Sequence, residues 1–96
     1  MGARVVVYRV QPGMLDAALN HTREVTRPVA RRQPGWRGVT ILVDHATETV
    51  RVVSLWDSVE QARAADADAA FVAALPHAQY AAGPATIEYF EVADHE

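Results

Sequence analysis

Apolar residues occupy both parities of Thr49–Ser58, TVRVVSLWDS. Strand side chains alternate, so Val50, Val52, Ser54 and Trp56 point one way while Arg51, Val53 and Leu55 point the other. A strand apolar on both faces has to be covered on both. Arg4–Val10, RVVVYRV, repeats the pattern, with Val6, Tyr8 and Val10 opposite Val5 and Val7. Val39–Asp44 and Thr86–Val92 read as two further β-branched and aromatic strands. The short polar stretch Asp44–Glu48 joins the second strand to the third, which predicts an antiparallel hairpin.

Between the strands the period lengthens to three and four. Pro12 pre-sets a helical turn, and Leu15, Ala18, Thr22, Val25 and Val29 form one stripe of a helix over Met14–Arg32. Asp16, Asn20, Arg23, Arg27 and Arg31 fall on the other side, predicting a solvated outer face. Pro28 cannot donate to the carbonyl of Glu24 and crowds it, so a kink is expected there. Gln33-Pro34-Gly35 ends the helix. Ser58-Val59-Glu60-Gln61 has the form of a capping box for a second helix with the stripe Val59, Ala62, Ala65, Ala69 and Val72. Asp66 and Asp68 disturb that stripe, predicting a break at Asp66–Asp68 with one of them capping a shorter helix anchored by Phe71 and Leu75. Pro76–Pro84 reads as an irregular or short-helical return.

The order strand–helix–strand–strand–helix–strand, with right-handed crossovers, predicts an α+β fold: a ferredoxin-like βαββαβ domain over residues 1–96 with a four-stranded antiparallel sheet. Two helices cover one face of such a sheet. The other face would expose several of Val5, Val7, Val39, Ile41, Val43, Val53, Leu55, Phe90 and Val92, more than a soluble monomer tolerates. A second copy packed sheet to sheet answers this, so a homodimer is expected.

Composition narrows the function. Half the residues are apolar and 22% charged, the net charge is −3, and every basic side chain is arginine. That balance is globular and speaks against nucleic-acid binding, including by the row Arg23, Arg27, Arg31 and Arg32. With no cysteine there is no disulfide, thiolate nucleophile or zinc–sulfur site. The N-terminal MGARVVVYRV lacks the features of a signal peptide, and no apolar run approaches about 20 residues, so a cytoplasmic protein without membrane association is expected.

Pro12-Gly13, Pro34-Gly35-Trp36, Leu55-Trp56-Asp57-Ser58-Val59-Glu60 and Ala70-Phe71-Val72-Ala73-Ala74-Leu75 together resemble the antibiotic biosynthesis monooxygenase family of dimeric α+β barrels, over nearly the full length. The resemblance implies pairing into a dimeric α+β barrel and a cavity between helices and sheet. It also implies a cofactor-independent oxidation of a phenolic or quinol molecule whose own anion reduces oxygen. Trp56 matches the tryptophan of aromatic-oxidising members, whereas their asparagine and tyrosine fall on Val52 and Ala62. In the haem-degrading branch the helix-two tryptophan and axial histidine fall on Ala65 and Leu75, with His77 two residues further on.

The residues themselves leave few polar candidates. None of His21, His45, His77 and His95 forms HxH or HxxxH, His21 and Glu24 alone have helical ligand spacing, and no metal site is expected. His77 titrates near neutrality and is the candidate base, with Tyr80, three residues on, as donor. Trp56 completes the catalytic candidates, and Tyr8 and Phe71 are expected to shape the cavity. The reading is a homodimeric, cofactor-free enzyme acting on a small hydrophobic aromatic ligand. The alternative is a non-catalytic ligand-binding or accessory dimer on the same scaffold.

Overall fold

Four strands and a layer of helical segments alternate along the chain in the computed structural model, which describes residues 1–96. The elements are β1 (Gly2–Arg9), α1 (Leu15–His21), a π-helical segment (Thr22–Thr26), α2 (Arg27–Ala30), β2 (Trp36–Asp44), β3 (Thr49–Trp56), α3 (Val59–Ala65), α4 (Ala69–Ala74), α5 (His77–Tyr80) and β4 (Thr86–Glu91). The sheet order is β2-β3-β1-β4 with every pair antiparallel, so the ferredoxin-like βαββαβ expectation holds. No helix is long and apolar enough to cross a membrane.

Local chemistry sets the element ends. The hairpin closes through Asp44, whose carboxylate accepts from the backbone N–H groups of Ala46 and Thr47, an Asx-type turn. Ser58 caps α3 by accepting from the N–H of Gln61 at 3.2 Å. Asp68 caps α4 by accepting from the N–H of Phe71 at 2.9 Å. The break expected at Asp66–Asp68 is therefore present, and the cap is Asp68. Strand β2 starts three residues before the predicted Val39, and a register shift between Trp36 and Gly38 aligns Val39, Ile41 and Val43 with the inward residues of β3. Gly2 is required by packing, since a Cβ there would lie 2.5 Å from the backbone nitrogen of Val59. The start of α3 rests directly on the start of β1.

The first helix departs from its predicted stripe. Ala18, Thr22, Thr26 and Ala30 are its buried residues, while Val25 is 44% exposed. Those four are spaced by four, which on a helix of 3.6 residues per turn drifts about 40° at each step. The π-helical turn at Thr22–Thr26, with its wider i→i+5 bonding, absorbs drift and keeps all four against the sheet. It lies just ahead of Pro28, where the missing N–H and the crowded carbonyl of Glu24 loosen the α-helical ladder. The same rotation corrects the placement of Arg27, which lines the interior rather than joining the outer face of Arg23 and Arg31. In the second half Phe71 and Ala74 are buried, and Val72, expected inside, is 45% exposed because the break resets the helix.

The core divides into two clusters. Trp56, Ala62, Ala65, Phe71, Leu75 and Ala30 form one, and Val6, Tyr8, Val10, Ala18 and Val50 the other. Both lie on the helix-covered face. The opposite face carries Val5 and Val7 of β1, Val53 and Leu55 of β3, Leu42 of β2 and Phe90 of β4, by the strand registers. Leu42 is 49% and Phe90 48% exposed. Val39, Ile41 and Val43 are not part of this open face, because the register shift turns them toward the helices, and Val92 lies beyond β4.

Candidate functional site

A cavity opens between the helical layer and the covered face of the sheet. It holds about 530 Å³ of empty space, mouth included, of which the centre of a water-sized sphere can sweep about 40 Å³. Its floor is Arg4, Val6 and Tyr8 of β1, Val39 of β2, and Val52, Ser54 and Trp56 of β3. Its roof is Thr22, Thr26, Arg27 and Ala30, and Phe71, Leu75, Pro76 and His77 close one side. Apolar walls with few polar atoms are the usual make-up of a small-molecule pocket.

Trp56 is fully buried and its indole N–H donates to the hydroxyl of Ser54 at 2.9 Å. Its ring meets Phe71 edge-on, centroids 6.1 Å apart. A buried tryptophan needs a partner for its N–H. Ser54, two residues back on the same strand face, supplies it, so Trp56 offers the cavity a flat apolar surface.

Next to it lies a charged group that the sequence pattern did not assign. Arg4 is 2% exposed, and its Nε and Nη2 donate to the two carboxylate oxygens of Asp66, both at 2.7 Å. The hydroxyl of Tyr89 also donates to Asp66, and the Arg4 guanidinium stacks over the Phe71 ring, 5.2 Å from its centroid. Asp66 sits at the helix break because it answers Arg4, not because it caps a helix. Two signals in the sequence pointed here: an arginine sharing a strand face with Val6 and Tyr8, and an aspartate on an apolar helix stripe.

His77 lines the cavity, its ring 6.2 Å from that of Tyr8. Burial pushes its pKa below the usual histidine value, the Arg4 charge lowers it further, and Asp66 opposes the shift. The imidazole is therefore neutral at pH 7, able to accept a proton. The turn that carries it is tied to the end of β1 by backbone bonds from Gln11 N–H to Tyr80 O at 2.9 Å and Ala82 N–H to Arg9 O at 2.7 Å. Tyr80 does not line the cavity; it packs against the Val6–Tyr8 cluster and its ring meets His21 edge-on at 5.5 Å. Phe71 and Tyr8 both line it.

Two cavity-lining groups have no partner. The hydroxyl of Tyr8 and the Nε of Arg27 are buried without a hydrogen bond. Burial pushes the Tyr8 phenol up to about 12, so it is a protonated donor at neutral pH. Above it the π-helical turn is fastened to α4, since Thr26 Oγ1 donates to the carbonyl of Ala74 at 2.5 Å and His21 Nε2 lies 3.0 Å from the same oxygen. No three His, Asp or Glu side chains converge to hold a metal ion.

A family model described as antibiotic biosynthesis monooxygenase matches residues 1–77. No curated protein matches the chain significantly. Among solved structures, a protein of Nitrosomonas europaea assigned as an antibiotic biosynthesis monooxygenase is 18% identical, with 98% of this chain and 100% of that one covered and a TM-score of 0.79. One from Bordetella bronchiseptica with the same assignment is 19% identical, with 95% of each chain covered and a TM-score of 0.82. The haem degrader MhuD of Mycobacterium tuberculosis, solved with two haems in its active site, is 24% identical, with 100% of this chain and 99% of that one covered and a TM-score of 0.73. At these identities the likeness is one of fold.

Proposed function

This chain belongs to the antibiotic biosynthesis monooxygenase family, and on that premise we propose that it is a homodimeric, cofactor-independent oxygenase of a small aromatic or quinol-type molecule, acting in the cytoplasm. The observation that carries the reading is an apolar cavity bordered by one neutral imidazole, His77, and one unpaired hydroxyl, Tyr8. An aromatic ring lies against Trp56 and Phe71, and His77 accepts the proton that ionises it. Water-poor walls keep the resulting anion reactive toward oxygen. For an anthrone the balance is R₂CH₂ + O₂ → R₂C=O + H₂O, the substrate supplying all the electrons, so no external reductant is consumed.

Aerobic incubation with hydroxyanthrones and quinols, followed by oxygen electrode, tests this directly. Uptake that scales with protein and substrate is expected. Ligand-dependent thermal stabilisation with no uptake for any ring would instead establish the second reading, a binding module. That alternative has an observation in its favour: Val52 lines the cavity and Ala62 is fully buried, and neither carries a polar group to assist chemistry. Haem does not fit. Leu75, at the spacing where the resemblance places an axial histidine, is a buried wall residue that cannot ligate iron. Haemin titration is expected to leave its Soret band unshifted.

The open sheet face supports the dimer. Its apolar centre of Val5, Val53, Leu55 and Phe90 is bordered by Glu88 on edge strand β4 and by Arg51, which lies between Leu42 and Val7, with Arg9 at the far end of β1. Sedimentation at micromolar concentration is expected to give a dimer burying about 1,600 Å² or more. Val53→Glu, which puts a charge at the centre of that face, is expected to give a folded monomer.

A further inference from the structure

We infer that Tyr8 and Arg27 form a binding site for the ionised oxygen of a phenolic ligand, a site that rests on the reading of the cavity just given. Tyr8 is 2% exposed, its hydroxyl is unpartnered, and it lies on the cavity floor. Arg27 is on the roof of the same cavity, its Nε–H buried and equally unpartnered. A guanidinium N–H can only donate, and a tyrosine hydroxyl not bonded elsewhere presents its proton as well. Two buried donors with no acceptor call for one from outside the chain.

Charge selects the acceptor. Two arginines line the cavity: the fork of buried Arg4 is matched by both oxygens of Asp66, whereas no carboxylate lies within 4.0 Å of half-buried Arg27. One positive charge without an ion-pair partner therefore borders a largely apolar cavity. An opposite charge nearby favours the ionised form of whatever titrates there, and a donor to that form does the same. Aromatic surfaces from Trp56 and Phe71 suit a flat ring. The ligand that answers all three features is a small phenol bound as its phenolate.

The placement of Arg27 is a product of the π-helical turn. On a regular helix Arg27 follows Arg23 and Arg31 to the outside, and both of those are exposed. The extra rotation at Thr22–Thr26 delivers Arg27 to the cavity instead, and such turns are common at functional sites.

Two dyes of the same shape test the site without reference to turnover. 4-Nitrophenol reports its own ionisation by absorbance, and 4-nitroanisole is its uncharged methyl ether. The wild-type chain is expected to bind the phenol with its pKa lowered by about 1 unit or more and to prefer it over the ether about tenfold. Tyr8→Phe and Arg27→Met are each expected to weaken phenolate binding about tenfold and to leave ether binding unchanged. Absence of dye binding, equal binding of phenol and ether by wild type, or equal losses for both dyes in the variants would overturn the site. The wild-type comparison decides the matter even if a variant fails to fold. Phenolate binding without oxygen uptake sustains the site while removing the oxygenase reading. Oxygen uptake that both variants retain in full removes the site and leaves that reading standing.

Discussion

Replacing Asp66 by alanine is expected to lower the unfolding free energy by about 3–5 kcal/mol. Folding places Arg4 where its side chain is 3% exposed, with Asp66 as its ion-pair partner. Arginine stays charged at any accessible pH, so it cannot escape by losing a proton. The substitution strands that charge in the core and removes the acceptor of the Tyr89 hydroxyl as well. A domain of this size has only about 5–15 kcal/mol in total, so urea denaturation should show a midpoint displaced far from wild type. The paired replacement Arg4→Met with Asp66→Leu separates the two possible meanings of such a loss. If desolvation of an unpaired charge is the cause, the double variant recovers most of the stability, because a buried pair replaced by apolar residues is close to neutral. A double variant no better than Asp66→Ala would show that the geometry of the pair, rather than the stranded charge, holds the helix break in place.

The second large effect is on turnover. With a hydroxyanthrone that the wild type oxidises, His77→Ala is expected to reduce kcat about 10²–10⁴-fold, the usual range for removing a positioned base. The pH profile has a sign that follows from the surroundings of His77. Its charged form is disfavoured by burial and by Arg4, so the proton-accepting neutral form survives below the ordinary histidine value of 6.5. Wild-type kcat/KM, which reports the free enzyme's base, should therefore hold steady as pH falls toward 6.5 and decline only beneath it. A decline that begins above 6.5, or an alanine variant with unchanged kcat, would assign the base elsewhere. The same shift acts on stability. The unfolded chain binds the proton more readily than the folded one, so the unfolding free energy falls as pH drops through 6.5 and levels off below the folded value.

Much of the architecture was legible because local signals agreed with one another. The alternation in Arg4–Val10 and Thr49–Ser58, the Asp44–Glu48 connection, the Ser58 cap and the aspartates that interrupt the second helix each specify one outcome, and together they give the topology. The site was less legible, for two physical reasons. Arg4 and Asp66 are 62 residues apart, so each looks like an isolated misfit until the fold brings them together. Arg27 was assigned outward because a helical wheel assumes 3.6 residues in every turn, and a single π-helical turn breaks that assumption for everything after it. Tyr8 shares a strand face with Val6 and lines the cavity. Its missing hydrogen-bond partner depends on what the helices do not offer, which no one-dimensional pattern records.

That irregular turn means the ligand preference of this scaffold is written partly in residue count. Deleting one amino acid between Thr22 and Thr26 would leave every side chain of the pocket floor untouched, yet it would swing the guanidinium away and bring a different neighbour to the ceiling. Members of such a lineage can thus diverge in what they accept through a one-codon insertion or loss in a structural helix, while their floor residues stay the same.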